Sequence, residues 1–159
     1  MIYVIQTKPK QEDYLLRQLE YTGINAYCPS ERMIIRSKGR WHENEKKIFS
    51  GYIFIDSDYS AELHQKIRRL DGYLRFLGEP SPLSDNETEQ IKWLCNNGKP
   101  VTVSHYIETK CGILFIDGIL SKTSFRILKM YPRQKRVKVS VSVNGRNFKV
   151  FLPAEKSEL

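Results

Sequence analysis

Six basic side chains, Arg126, Lys129, Arg133, Lys135, Arg136 and Lys138, fall within thirteen residues, and Tyr131 interleaves with them. Their chemistry is neutralisation of phosphates beside an aromatic ring. Over residues 136–143 four valines alternate with polar residues, so Arg136 and Lys138 share one strand face and the valines the other. A cationic stripe for RNA is the expectation, against the plainer alternative of a solvated basic strand. A second group, Arg32, Arg36, Lys38, Arg40 and Trp41, lies in residues 31–48 among Glu31, Glu43 and Glu45. Cations for phosphate and a ring for stacking suit a single strand, each stacked base contributing about 1–3 kcal/mol. Basic loops are usually solvated faces, but Trp41 at a polar tip adds no core burial. The third group is apolar, the rings of the stretch Phe49-Ser50-Gly51-Tyr52-Ile53-Phe54-Ile55.

Catalytic chemistry has no such support. There is no P-loop, no G-x-S-x-G and no paired-cysteine metal motif, and His42, His64 and His105 are scattered. Cys28, Cys95 and Cys111 are odd in number and widely spaced, which fits small buried or half-buried thiols. The expectation is a protein without enzymatic activity, cofactor or metal.

The elements that position these groups follow from composition and periodicity. Hydrophobic residues make up 40% and charged residues 28%, a globular balance. No apolar run has membrane-spanning length and residues 1–10 carry no signal-peptide pattern, so the expectation is a cytoplasmic monomer away from membranes. The net charge of +8 is localised. Residues 1–96 hold 14 Lys+Arg and 14 Asp+Glu, whereas residues 107–159 hold 11 against 4. A basic last third points to a polyanion partner for that part.

Residues 2–6 read as a first strand, 11–22 as a helix ended at Gly23, and 25–29 as a short extended piece ended by Pro29. Residues 31–48 read as a two-stranded excursion turning at Gly39, which returns into a buried strand over 49–55. Alternation there puts Phe49, Gly51, Ile53 and Ile55 on one face and Ser50, Tyr52 and Phe54 on the other. Tyr52 and Phe54 then form a second core layer, pack under the C-terminal part, or stand exposed as a docking patch. A helix over 60–70 capped by Ser60, a strand over 73–77, and a helix opened by the capping box Ser84-Asp85-Asn86-Glu87 follow. The fold class is α+β, with a mixed or antiparallel sheet and helices on one face. Residues 96–100 have linker composition. Beyond them, strands over 112–116, 126–130, 136–143 and 146–152, with Asn144-Gly145 as a hairpin turn, make a small β-barrel. The domains are therefore 1–98, a linker over 99–106, and 107–159. At about fifty residues the second is close to the lower limit for folding alone.

Together these stretches resemble the NusG family of transcription elongation factors. Ile2-Tyr3-Val4-Ile5-Gln6 looks like the family's W-Y-V-V-Q strand, and Phe49-Ser50-Gly51-Tyr52 like its F-P-G-Y, with Ser50 replacing proline. Glu79-Pro80-Ser81-Pro82-Leu83-Ser84-Asp85 is similar to K-P-x-P-L-S-D, and Asp117-Gly118-Ile119-Leu120 to the opening D-G-P-L of a KOW barrel. Lys135-Arg136-Val137-Lys138-Val139 looks like the basic strand that follows. Lys122 and Phe125 stand where the barrel's usual glycine pair is expected.

The resemblance implies an N-terminal NusG domain and a C-terminal KOW domain. It implies docking of the RNA polymerase clamp helices on Gln6, Phe49, Tyr52 and Phe54. For Arg32, Arg36, Lys38, Arg40 and Trp41 it implies contact with non-template DNA in the transcription bubble. The basic KOW stripe is then a site for a nascent RNA hairpin, with ribosomal or termination proteins as the alternative partners. The implied role is transcription elongation and antitermination by a specialised paralogue of the LoaP type, with an RfaH-like role. The contrasting expectation is a ribosome- or RNA-associated KOW-type protein without polymerase contact.

Overall fold

Strand β1 (Ile2–Thr7) is apolar on both faces, and that makes it the centre of a sheet covered twice. The structure, a computed structural model, describes residues 1–78 and 81–158, so Glu79 and Pro80 of the run resembling K-P-x-P-L-S-D lie outside the described residues. After β1 come α1 (Glu12–Tyr21), β2 (Ala26–Tyr27), β3 (Ser30–Ser37), β4 (Arg40–Lys47), β5 (Tyr52–Asp56), α2 (Ala61–Arg68), β6 (Tyr73–Phe76) and α3 (Asp85–Cys95). The sheet runs β2-β5-β1-β6 and every pair in it is antiparallel. Tyr3, Ile5, Ile53 and Ile55 pack on Leu15 and Leu19 of α1 and Ile67 of α2. On the other face lie Ile2, Val4 and Phe54, against Ile91, Leu94 and Cys95 of α3. Two helices therefore cover one face and the third covers the opposite one, where the sequence pattern suggested a single helical face.

Strand β5 begins at Tyr52 and not at Phe49, where the apolar run predicts its start. Residues 49–51 turn, with the Tyr52 N–H donating to Phe49 O at 3.2 Å and Gly51 at φ +83°. That left-handed conformation is open to glycine at little cost. The turn breaks the alternation, so Phe49 joins Phe54 and not Ile53.

β3 and β4 form a separate two-stranded ribbon. Its two-residue loop has positive φ at both Lys38 and Gly39, the backbone of a tight hairpin turn. The stretch read as a linker is held in place. Val101 is buried, its N–H donates to Ser30 O at 2.8 Å, and its carbonyl accepts from the Arg32 N–H at 2.9 Å.

The C-terminal module comprises β7 (Ser104–Thr109), β8 (Gly112–Phe115), α4 (Ile119–Lys122), β9 (Arg126–Tyr131), β10 (Arg136–Val143) and β11 (Arg146–Lys156). Its order is β8-β7-β11-β10-β9, parallel only between β7 and β11. The alternation over 136–143 holds without exception. Val137, Val139, Val141 and Val143 are buried, while Arg136, Lys138, Ser140 and Ser142 are half-buried. These valines belong to the same apolar cluster as Ile2, Val4, Phe54 and α3, so the small module shares its core with the larger one.

Candidate functional site

The apolar rings of the N-terminal module sit under the C-terminal one. Phe148 of β11 is the contact, its ring centroid 5.8 Å from Phe49 and 5.2 Å from Tyr52, both edge-on. Edge-to-face pairs of this kind add about 0.5–1.5 kcal/mol each beyond area burial. Phe49 in turn meets Phe54 at 5.3 Å. Phe49 and Phe54 are almost fully covered, at 3% and 1% exposure, whereas Tyr52 is half-buried. Gln6 brings its amide to this rim, donating to the Tyr52 hydroxyl at 3.0 Å and accepting from Arg75. All four residues named from the resemblance thus lie together, and Phe148 of the C-terminal module covers Phe49 and Tyr52 among them. Phe54 is a core residue here, and Phe→Ala in a core costs about 3–5 kcal/mol. Tyr52 is the ring that can be truncated without emptying the core.

Polar contacts close the two ends of this apolar seam. At one end Arg136 pairs with Glu31, a carboxylate only 1% exposed. Burial pushes the Glu31 carboxyl above its usual range, and the Arg136 guanidinium offsets part of that. Losing one partner of an enclosed ion pair costs about 3–5 kcal/mol, a cost that separation of the modules relieves by returning the survivor to water. At the other end the β10–β11 turn reaches the N-terminal module. Asn144 Nδ2 donates to Leu77 O at 3.0 Å, and Glu87 Oε2 accepts from Ser142 Oγ at 2.8 Å and the Gly145 N–H at 3.1 Å. Glu87 is also the capping-box residue of α3, accepting from the Ser84 N–H at 3.1 Å. Sequence reasoning missed Glu31, Glu87 and Phe148 as functional groups. The available signal for Glu87 was its box position, which accounts for one carboxylate oxygen and leaves the other to find a partner.

Of the hairpin candidates, Arg32, Arg36, Lys38, Arg40 and Trp41 are all exposed on the β3–β4 ribbon. Register places Arg36 opposite Trp41, and the guanidinium lies 5.8 Å from the ring centroid. The ribbon is anchored at its base by Lys47, whose Nζ meets Asp13 Oδ1 of α1 at 2.6 Å.

On the C-terminal module, Lys138 faces Lys129 of β9 on one side and Phe151 of β11 on the other. Lys129 lies over Tyr131 at 5.1 Å, and Arg136 and Lys138 flank Phe151 at 5.4 and 5.8 Å. The structure thus brings Lys129, Arg136 and Lys138 into one cationic and aromatic row. Arg126 opens β9 opposite Ser140, and Arg133 and Lys135 stand exposed in the turn before β10. Arg136 faces the N-terminal module through Glu31, so in this arrangement it is an interdomain group.

The cysteines take no part in this site. Burial pushes the Cys28 and Cys95 thiols up to about 12, and Cys111 is exposed, unlike the buried or half-buried position anticipated for all three.

The chain is 28% identical over 156 residues to the transcription termination/antitermination protein NusG of Buchnera aphidicola subsp. Acyrthosiphon pisum, covering 93% of this chain and 84% of that one. Against the NusG of Helicobacter pylori strain 26695 it is 27% identical over 123 residues, 75% of this chain and 70% of the other. A solved structure described as "Domain interaction in Thermotoga maritima NusG" superposes with a TM-score of 0.55 at 22% identity, over 96% of this chain and 92% of that one. It shares the fold. The family described as "Transcription termination factor nusG" matches residues 2–92, more than half of the chain and all of the sheet that carries the aromatic rings, so the chain belongs to the NusG family.

Proposed function

We propose that this chain is a cytoplasmic regulator of transcription elongation and antitermination that grips RNA polymerase with Gln6, Phe49, Tyr52 and Phe54. The observation that carries this reading is the seating of Phe148 against Phe49 and Tyr52. A ring cluster whose cover is a separate module becomes an apolar groove when that module leaves, and such a groove suits a helix tip. The clamp helices of the polymerase are the occupant the family resemblance suggests. The closed arrangement is then a resting form, and release of the C-terminal module precedes docking. The exposed ribbon with Trp41 would meet non-template DNA, and the row of Lys129 and Lys138 would meet a nascent RNA hairpin. The charge excess of residues 107–159 supports a specialised paralogue of the LoaP type with a nucleic-acid partner of its own, with termination or ribosomal proteins as the alternative ligands of this module. Bridging the polymerase clamp opposes the opening that accompanies pausing, and tethering raises the effective concentration of the second contact. The chemistry is binding throughout, without catalysis.

Copurification with RNA polymerase tests the docking surface. Tyr52→Ala should lower capture about tenfold or more, since hot-spot aromatics contribute about 2 kcal/mol or more. The same change removes the Tyr52–Phe148 contact and so loosens closure, which by itself would raise capture. Because the two effects oppose each other, the decisive comparison is in a chain already opened by Phe148→Ala, where undiminished capture on adding Tyr52→Ala removes this surface from the polymerase interface.

A further inference from the structure

Between the β3–β4 ribbon and the turn before β10 lies a cleft of about 570 Å³. Its volume falls in the range of small-ligand sites, about 300–1,000 Å³. The ribbon contributes Arg32, Met33, Ile35, Arg36, Trp41 and Glu43. Facing them from the C-terminal part are Val103, Arg133, Lys135, Arg136, Pro153 and Glu155, among others. The lining thus combines five cations with apolar surface from Met33, Ile35, Val103 and Pro153. Three of the five cations already have carboxylates. Arg32 lies 4.0 Å from Glu43, Lys135 lies 3.2 Å from Glu155, and Arg136 pairs with Glu31. Arg36 and Arg133 have no ion pair among the described residues, and they come from different modules. Trp41, 60% exposed, has a cation from each module at its ring, Arg36 at 5.8 Å and Lys135 at 5.5 Å.

We infer that the ribbon and the C-terminal turn form one composite site for a single nucleic-acid strand, complete only while the two modules are closed. The inference rests on the reading above that both surfaces are for nucleic acid, and goes beyond it in joining them. The requirement comes from the distribution of groups. The two cations free for phosphate stand on opposite walls, and the ring that would take a base is bracketed by both modules. A base on Trp41 and the apolar lining, with its flanking phosphates on Arg36 and Arg133, uses both cations of the cleft that lack an ion pair among the described residues. An acidic peptide would satisfy the cations and leave the ring without a flat partner. Binding there favours the closed form, because a ligand can shift an equilibrium only toward the state it prefers. Occupancy of the composite site and polymerase docking on Tyr52 then oppose each other, so the composite site belongs to the resting form and the ribbon alone meets non-template DNA once the C-terminal module has left.

Anisotropy of a labelled single-stranded hexamer, as oligo-dT and as oligo-U, against the full chain at low salt tests the site. Binding of either hexamer, weakened about fivefold or more by Trp41→Ala, by Arg36→Ala and by Arg133→Ala singly, is the expected result, the stronger hexamer naming the natural strand. Phe148→Ala and Glu87→Gln, which loosen closure without lining the cleft, should weaken the same hexamer. Loss confined to the ribbon variants overturns the composite site and leaves a ribbon site for DNA standing. Hexamer binding indifferent to Phe148→Ala and Glu87→Gln overturns the need for closure. Displacement of the hexamer by equimolar nucleoside triphosphate or by an acidic peptide overturns the strand as ligand. No binding of either hexamer removes this inference and the ribbon's assignment together.

Discussion

At the scale of single residues, two carboxylates meet the C-terminal module and their surroundings move them in opposite directions. Burial raises Glu31 in spite of Arg136. Burial also pushes Glu87 up, but hydrogen bonds from Gly145, Ser142 and Ser84 outweigh it and hold the carboxyl below its ordinary range. The bonds from Ser142 and Gly145 exist only in the closed form, so closure lowers the proton affinity of Glu87. Its contribution to closure is therefore complete above the ordinary carboxylate range and is lost as pH falls through the depressed value. Glu31 has the opposite sign and is common to both proteins in a comparison of wild type with Glu87→Gln. Cys111 offers a clean labelling site because the other two thiols are pushed up by burial, and Tyr21, 93% exposed on α1, can be replaced by cysteine for a second dye. Energy transfer between the two dyes should fall more steeply on acidification in the wild type than in Glu87→Gln. Identical acid profiles would show that this carboxylate contributes nothing to closure. The residue types were legible in the sequence, since Tyr52, Trp41 and the basic run all stood out by kind. The pairing of Glu31 with Arg136 was not, because an ion pair more than a hundred residues apart in sequence leaves no local trace.

At the scale of elements, the turn Asp117-Gly118 explains one motif by geometry. Gly118 has φ +72°, and a Cβ there would stand 2.1 Å from Ser104 Oγ and 2.8 Å from Ser104 Cα. Backbone is among the atoms in the way, so side-chain rotation cannot make room. Gly118→Ala should destabilise the C-terminal module by about 2–4 kcal/mol, through positive φ and steric overlap together. Urea unfolding followed by backbone circular dichroism measures it, and a change under about 0.5 kcal/mol would contradict the packing of this turn on β7. The valine alternation of β10, the Asn144-Gly145 turn, the Ser84 capping box and the Ser60 cap were all readable, because each is a local preference that tertiary structure does not override. β7 escaped notice for a physical reason. Its parallel partner on β11 lies about fifty residues away, with Ser104 opposite Ala154, and the turn into its antiparallel partner β8 is Lys110-Cys111, which lacks the usual hairpin residues. Gly51 inside the apolar run suggests a bulge, but alternation cannot register what a glycine at positive φ does to its neighbours, so Phe49 was assigned to the wrong face.

At the scale of the whole molecule, the two modules share one of two apolar clusters, closed at its ends by Arg136–Glu31 and by the β10–β11 turn on Glu87 and Leu77. The sequence announced two modules and a basic second one, and the comparisons agree with the fold. Packing of the ring stretch under the C-terminal part was one of the readings left open, and Tyr52 meets it, but the residue that makes the contact was illegible, since Phe148 lies on the same strand face as the inward residues Val150 and Leu152 and reads as ordinary core. A C-terminal module of this size gains by sharing a core, and the N-terminal rings lose their access to partners for as long as it does. The central claim is that closure and polymerase docking compete for Phe49 and Tyr52. The most direct measurement is capture of RNA polymerase by wild type, by Phe148→Ala and by Phe148→Ala combined with Tyr52→Ala, with the dye pair reporting module separation in the same samples. The account predicts lower energy transfer and about tenfold greater capture for Phe148→Ala, and loss of that gain in the double variant. A separated Phe148→Ala chain that captures no more polymerase than the wild type would contradict it.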